Sequence, residues 1–150
     1  MLGGAAVRAR TAGRSIPAGR RKVSVMKLGS ATAGEADRAL ALVTPQEVGR
    51  RTVLAVGGEI DLDSVGVLSS AVEAALAGGA AELWIDLTQT LFMDSSGLHV
   101  LLDTRSRVRD LNRQLAIICP PGPVRRLFDI AGVAERLPLY DDRAAAHRAG

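Results

Sequence analysis

The sequence has few of the features that mark disulfide-stabilised, membrane-spanning or metal-binding proteins. Its one cysteine, Cys119, cannot form an internal disulfide, and the apolar run around it predicts a buried structural thiol. No stretch approaches the roughly 18 uninterrupted apolar residues of a membrane span, and no signal-peptide core is evident. HExxH, CxxC and P-loop patterns are also missing. We therefore expect a cytoplasmic protein that neither enters a membrane nor requires a metal or cofactor.

Acidic residues are missing from the first 34 positions. This segment carries seven of the nineteen basic residues, whereas residues 35–150 hold all sixteen acids and twelve basic residues, a net charge of 12 − 16 = −4. A basic segment rich in Ala, Gly and Ser and without aromatics is typical of a disordered arm, although such an arm can bind nucleic acid non-specifically. We predict a basic arm over 1–34, a domain over 35–143 and a polar tail over 144–150. Direct nucleic-acid binding is the less favoured reading.

Strand-like and helix-like segments alternate from residue 39 onward, which predicts a single α/β domain with a mixed, mostly parallel sheet of about five strands covered by helices. Strands are predicted at 39–43, 52–58, 82–87, 114–119 and 137–140, and helices at 62–76, at 96–111 and from Pro123 to Gly132. The first two strands should be antiparallel and joined by a turn over 45–49, and the later crossovers right-handed. A weak final turn is predicted in 141–150.

The most informative segment is Asp94-Ser95-Ser96-Gly97, at the predicted passage from the third strand into the second helix. Backbone N–H groups in the first turn of a helix lack intrahelical partners, and the helix dipole is positive there. A phosphate at this point would be accommodated locally. The simpler interpretation is that Asp94 or Ser95 is an ordinary N-cap.

Three blocks of the sequence resemble the STAS domain of anti-sigma-factor antagonists. They are GEIDL at 58–62, MDSSGLHVLL at 93–102 and VRRLFDIAGV at 124–133, in the order that the family has them. The similarity spans about residues 42–142 and implies a STAS-like fold.

The resemblance also implies a function that does not involve catalysis. It makes Ser95 the residue that an anti-sigma factor, itself a serine kinase, phosphorylates. The unphosphorylated form would bind this kinase and release a sigma factor, and a PP2C-type phosphatase would restore that form. The resemblance further assigns partner binding to Asp94, Ser96 and Gly97 and to an acidic loop that contains Asp61 and Asp63. Here Gly97 would let the partner approach closely.

Two other function classes remain open at this point. An enzyme would use Ser95 as nucleophile with His99 and Asp94, but a nucleophile elbow needs glycine where Met93 stands, and His99 is expected to be an ordinary solvent-facing residue. The second alternative is a STAS scaffold or ligand-sensing module of a stressosome or a lipid-transport complex. The intact Asp-Ser-Ser-Gly run favours the phosphorylation switch over both.

Overall fold

The computed structural model describes residues 41–149, which form one five-stranded sheet with helices on both of its faces. The predicted basic arm at 1–34 lies outside these residues. In chain order the elements are β1 (Leu42–Val48), β2 (Arg51–Ile60), α1 (Val65–Ala77), β3 (Glu82–Met93), α2 (Ser95–Asp110), β4 (Gln114–Ile118), α3 (Pro123–Ala131), a 3₁₀ turn (Ala134–Arg136), β5 (Leu139–Tyr140) and α4 (Arg143–Ala149).

The strands lie in the sheet in the order in which they occur in the chain. β1 and β2 are antiparallel, and β2 to β5 are parallel. Residues of α1, α2 and α3 contribute to one core, as expected when crossovers of one hand connect successive neighbouring strands. This arrangement confirms the predicted α/β fold with a mixed, mostly parallel sheet of five strands.

Alternation along the strands divides the buried residues between the two faces of the sheet. In β3, Leu83, Ile85 and Leu87 point into the main core, while Trp84 points to the opposite face. Cys119 is buried in the main core, as predicted. Burial raises the pKa of its thiol to about 11, partly opposed by the charge of Arg125.

The opposite face is covered in part by α4, where the sequence predicted only a weak turn. Ala146 is buried in a small cluster whose other members are Val53, Trp84, Ala116 and Ile118, with Tyr140 packed against it. Arg143 at the start of α4 forms an ion pair with Asp86 of β3, with 2.7 Å between Nε and Oδ2. The end of the chain is thus packed onto the sheet.

The predicted turn over 45–49 is wrong for most of its length. β1 continues through Pro45 to Val48, and the turn is confined to Gly49 and Arg50. Gly49 has a φ of 63°, a left-handed conformation that glycine adopts without strain. Pro45 is tolerated because, within the described residues, β1 pairs only with β2 and so lies at an edge of the sheet.

β3 is about twice as long as predicted, and its second half leads into the Asp94-Ser95-Ser96-Gly97 motif. Residues 88–93 extend beyond the end of β4 and pair only with β2, through two register shifts. The Thr90 hydroxyl donates to the Val56 carbonyl at 2.8 Å. A strand segment with a neighbour on one side only can carry polar residues. For this reason the polar run from Thr88 to Thr90 was interpreted from the sequence as the end of the strand.

Candidate functional site

The motif lies at the edge of the sheet where the parallel strands β2 and β3 end side by side. Ile60 pairs with Met93, and the Asp94 N–H donates to the Ile60 carbonyl at 3.0 Å. The connection from β2 to α1, residues 61–64, and the first turn of α2 therefore leave the sheet next to each other. The acidic loop and the Asp-Ser-Ser-Gly motif predicted from the sequence are neighbours in the structure.

Asp94 is the N-cap of α2. Its side chain accepts a hydrogen bond from the Ser96 N–H at 2.9 Å and another from the Ser96 hydroxyl, while its carbonyl accepts from the Gly97 N–H at 3.1 Å. Side-chain and backbone acceptors of Asp94 therefore take up the N–H groups of Ser96 and Gly97. The simpler interpretation of Asp94 as a cap is correct for its local role.

The environment of Asp94 favours its ionised form. Partial burial tends to raise the pKa of the carboxyl group, but it is outweighed by hydrogen bonds from the Ser96 hydroxyl and from the backbone N–H groups of Ser96, Gly97 and Leu62. The pKa of Asp94 therefore lies below its ordinary value, and the site carries a fixed negative charge at neutral pH.

The two adjacent serines have different surroundings. Ser96 is partly buried and its hydroxyl is bonded to Asp94. Ser95 is exposed, and its hydroxyl makes no hydrogen bond within residues 41–149. Of the two hydroxyls, that of Ser95 is the one free to react with an incoming group.

Gly97 is buried and faces the interior of the domain. A Cβ at this position would lie 2.6 Å from Cγ of Met93 and 3.0 Å from Cγ2 of Ile60. The absence of a side chain thus allows α2 to begin directly over the ends of β2 and β3. The close approach seen at Gly97 is made by the protein's own core residues, and a role of Gly97 in partner binding stays a prediction.

Asp61 makes hydrogen bonds within the connection from β2 to α1, whereas Asp63 is exposed. Asp61 organises the connection, since its Oδ1 accepts from the Asp63 N–H at 3.1 Å and from the Ser64 N–H at 3.0 Å. Ser64 lies at the N-cap of α1 but directs its hydroxyl back into this turn, to the Glu59 carbonyl at 2.8 Å. Asp63 is exposed and places a second negative charge on the surface beside the motif.

Comparison with known proteins gives a family assignment. The model of the STAS domain family matches residues 39–146. The chain belongs to the STAS domain family.

Among proteins similar to this STAS domain is an anti-sigma F factor antagonist of Paenibacillus polymyxa, 27% identical over 95 residues, which are 63% of this chain and 81% of the relative. The crystal structure of an anti-sigma factor antagonist from Mycobacterium paratuberculosis superimposes with a TM-score of 0.68 at 26% identity, over 73% of this chain and 92% of that one. The anti-sigma factor antagonist SpoIIAA in its unphosphorylated form has the same fold, with a TM-score of 0.59 at 22% identity over 71% and 95% of the two chains.

The STAS domain also has an exposed apolar surface that the sequence pattern did not predict. Leu62, Leu91 and Phe92, called here the apolar rim, are 75%, 63% and 49% exposed. Phe92 lies two residues before Asp94, and the Leu62 N–H interacts with the Asp94 carboxylate. Two adjacent large apolar residues after the polar run 88–90 were the available signal, but the shorter predicted strand left them outside any element.

Residues 41–149 of this STAS domain contain neither a metal-binding cluster nor a membrane-spanning helix. No group of three or more His, Cys, Asp or Glu side chains in this range is arranged to hold a metal ion. No helix among these residues has the length and apolar character needed to cross a bilayer.

Proposed function

We propose that this STAS domain is an anti-sigma-factor antagonist whose binding to an anti-sigma serine kinase is switched off by phosphorylation of Ser95. The observation that carries this proposal is the contrast between the two serines. The Ser95 hydroxyl is exposed and has no partner within residues 41–149, whereas Ser96 is held by Asp94. A kinase can reach the first hydroxyl without breaking an internal hydrogen bond.

The backbone N–H groups of Ser96 and Gly97 would not neutralise a phosphate on Ser95. Phosphorylation adds roughly −1.5 to −2 charges, and the Ser96 and Gly97 amides are already bonded to Asp94. The ionised Asp94 and the exposed Asp63 add charge of the same sign. The sequence predicted that the start of the helix would accommodate the phosphate. Because the Ser96 and Gly97 N–H groups are already bonded to Asp94, we expect the phosphate charge to face the partner instead.

The size of this effect is sufficient for a switch. A charged group that is desolvated against a surface shaped for a hydroxyl costs about 2 to 5 kcal/mol. Each 1.4 kcal/mol changes affinity tenfold, so phosphorylation should weaken binding on the order of thirtyfold to several thousandfold. No refolding of the domain is needed.

The apolar rim supports a role in protein binding. Exposed large apolar side chains around a polar centre are typical of protein interfaces. Leu62 and Phe92 are exposed and adjoin the motif, since the Leu62 N–H interacts with the Asp94 carboxylate and Phe92 precedes Asp94 by two residues. The unphosphorylated form would bind the kinase here and release a sigma factor, and a PP2C-type phosphatase would regenerate that form. Such partners imply that the protein acts in the cytoplasm, by binding and not by catalysis.

The first test is to identify the modified residue. We expect mass spectrometry of the full chain, incubated with candidate anti-sigma kinases and ATP, to find one phosphate on Ser95. Ser95→Ala should abolish the modification, whereas Ser96→Ala, which removes the adjacent hydroxyl, should leave it on Ser95. Phosphate on Ser96 in the wild-type chain would contradict the proposal.

The second measurement is the affinity for the kinase that modifies the chain. Ser95→Ala should bind persistently in the presence of ATP. Ser95→Asp should bind at least about tenfold more weakly than Ser95→Ala, because it places a negative charge in the interface. This loss is smaller than that expected for phosphorylation, because a carboxylate carries less charge than a phosphate. Equal affinity of the two variants would exclude the charge mechanism.

A ligand-sensing STAS module is the second candidate, and one feature favours it. An open cleft of about 420 Å³ lies by α4, on the face of the sheet opposite to α1 to α3, with Asp86, Thr88, Pro120 and Arg143 among its lining residues. A sensor would use this cleft independently of Ser95. Kinase binding that is indifferent to Ser95 variants but altered by Thr88→Val would support this candidate over the switch.

A further inference from the structure

His99 lies one helical turn beyond Ser95 on α2, and both side chains are exposed. Residues four apart on a helix are neighbours, with Cβ atoms about 5–6 Å from each other. Helical side chains also lean toward the N-terminus, so a residue covers the surface over the preceding turn. The imidazole of His99 is therefore directed toward the turn that carries the Ser95 hydroxyl.

Few other donors are available to a phosphate at this place within residues 41–149. The amides of Ser96 and Gly97 are bonded to Asp94. In the sequence of α2, the first arginine is Arg105, ten residues after Ser95, which corresponds to about 15 Å along the helix axis.

The charged groups nearest to His99 are acidic. Glu59 at the end of β2, Asp61 and Asp63 in the connection to α1, and Asp94 all lie on this edge of the sheet. Asp103, exposed and four residues beyond His99 on α2, is a neighbour of the imidazole on its other side. The last six residues of β3 carry no charge, and neither does β4. The first charged residue of α1 is Glu73, which binds Arg107 of α2 with 2.7 Å between Oε2 and NH1. His99 is thus the one basic side chain in the first two turns of α2, and residues 59–64, 88–93 and 114–118 contain no Lys, Arg or His.

We propose that His99 binds the phosphate of phosphorylated Ser95, and that protonation of His99 determines how much of the phosphate charge reaches the partner. This inference rests on the proposed function of Ser95. An imidazolium N–H donates a charge-assisted hydrogen bond to a phosphate oxygen, and histidine changes its charge between pH 5 and 8. The affinity of the phosphorylated form for the kinase is therefore higher at acidic pH than above neutrality.

The contact can be measured without any kinase. Phosphoserine is installed at position 95 of the full chain during translation, and its second ionisation is followed by ³¹P NMR from pH 5 to 8. An ion pair at this helical spacing should lower the midpoint in the wild-type chain by about 0.2 to 0.4 on the pH scale relative to His99→Gln. The matched control is His147→Gln, since the only other histidine contacts Trp84 on the opposite face of the sheet. This control should titrate like the wild type.

The outcomes separate the contact from the switch. Identical ³¹P titrations of the wild type and His99→Gln would overturn the proposed contact. Kinase affinity of the phosphorylated chain should be higher at pH 6 than at pH 8, and this difference should shrink in His99→Gln. A shifted ³¹P midpoint combined with a kinase affinity that ignores phosphorylation would establish the contact and overturn the proposed function of Ser95.

Discussion

Gly97 shows at the scale of single residues how the core determines the geometry of the motif. It is buried, and Met93 and Ile60 occupy the space that its side chain would need. The position of Ser95 relative to the ends of the strands depends on this contact. Sequence alone indicated that glycine mattered here, but it did not reveal which atoms face the residue, because that depends on the pairing of Ile60 with Met93.

Gly97→Ala should destabilise the domain by about 1 kcal/mol or more, because the strain of overpacking exceeds the gain in helix propensity. Urea unfolding followed by circular dichroism measures the change. The matched control is Gly66→Ala in α1, where a Cβ would have nothing within 4 Å. This substitution should stabilise the domain by about 0.5 to 1 kcal/mol. Equal changes at the two positions would contradict the packing role of Gly97.

At the scale of elements, α4 depends on contacts that a local sequence pattern does not show. The helix has only seven residues, which is too short to be stable alone. It is held by the burial of Ala146, by the ion pair between Arg143 and Asp86 and by the edge-on contact of His147 with Trp84, whose ring centroids are 5.0 Å apart. Its partners are distant in sequence, and for this reason the polar, Ala-rich segment predicted only a weak turn.

Deletion of residues 143–150 should expose Trp84, the only tryptophan, to water. We expect its fluorescence to shift to longer wavelength and to become more accessible to acrylamide, while circular dichroism still shows the sheet and the main helices. Deletion of residues 149 and 150 alone is the control and should change neither signal. An unshifted emission maximum in the larger deletion would show that α4 does not protect this face.

The strands and the three longer helices were predictable from the sequence because their apolar residues repeat at the spacing of each element. Leu68, Val72 and Leu76 mark α1, and Leu98 and Leu101 mark α2. The second half of β3 was missed for the opposite reason. Its neighbour β4 ends at Ile118, so the later residues of β3 are half covered and lose the apolar pattern. The apolar rim was not predicted for the same reason, since Leu91 and Phe92 lie in this half of β3.

At the scale of the whole molecule, the main core beneath α1, α2 and α3 joins β1 to the residues that precede β5. Val43 of β1 is buried in the same cluster as Phe128 of α3 and Leu137, which follows the 3₁₀ turn. The elements that carry Ser95 and the acidic connection are therefore parts of one packed unit, and we expect this unit to unfold cooperatively.

The reactivity of Cys119 should report this global unfolding. The thiol is buried in the main core and burial raises its pKa to about 11, so a thiol reagent at neutral pH should label the native chain about a thousandfold or more slowly than the chain in urea. Mass spectrometry gives one label per molecule, because no other cysteine is present. The deletion of residues 143–150 should speed the labelling only as far as it lowers the free energy of global unfolding measured in urea, since Cys119 faces away from α4 and is not uncovered directly. Rapid labelling of the native chain would contradict this assignment of the core.

Pro45 in the middle of β1 lowers the tendency of two copies of the domain to pair through this edge of the sheet. Proline has no N–H to donate, and within the described residues it lies on a strand whose outer side has no partner. A strand from another molecule would therefore find a gap in the ladder of donors and could not extend the sheet continuously. Interruptions of this kind discourage edge-to-edge polymers, so under the proposed function contacts with other proteins would depend on the side chains around Ser95 and not on the open edge of the sheet.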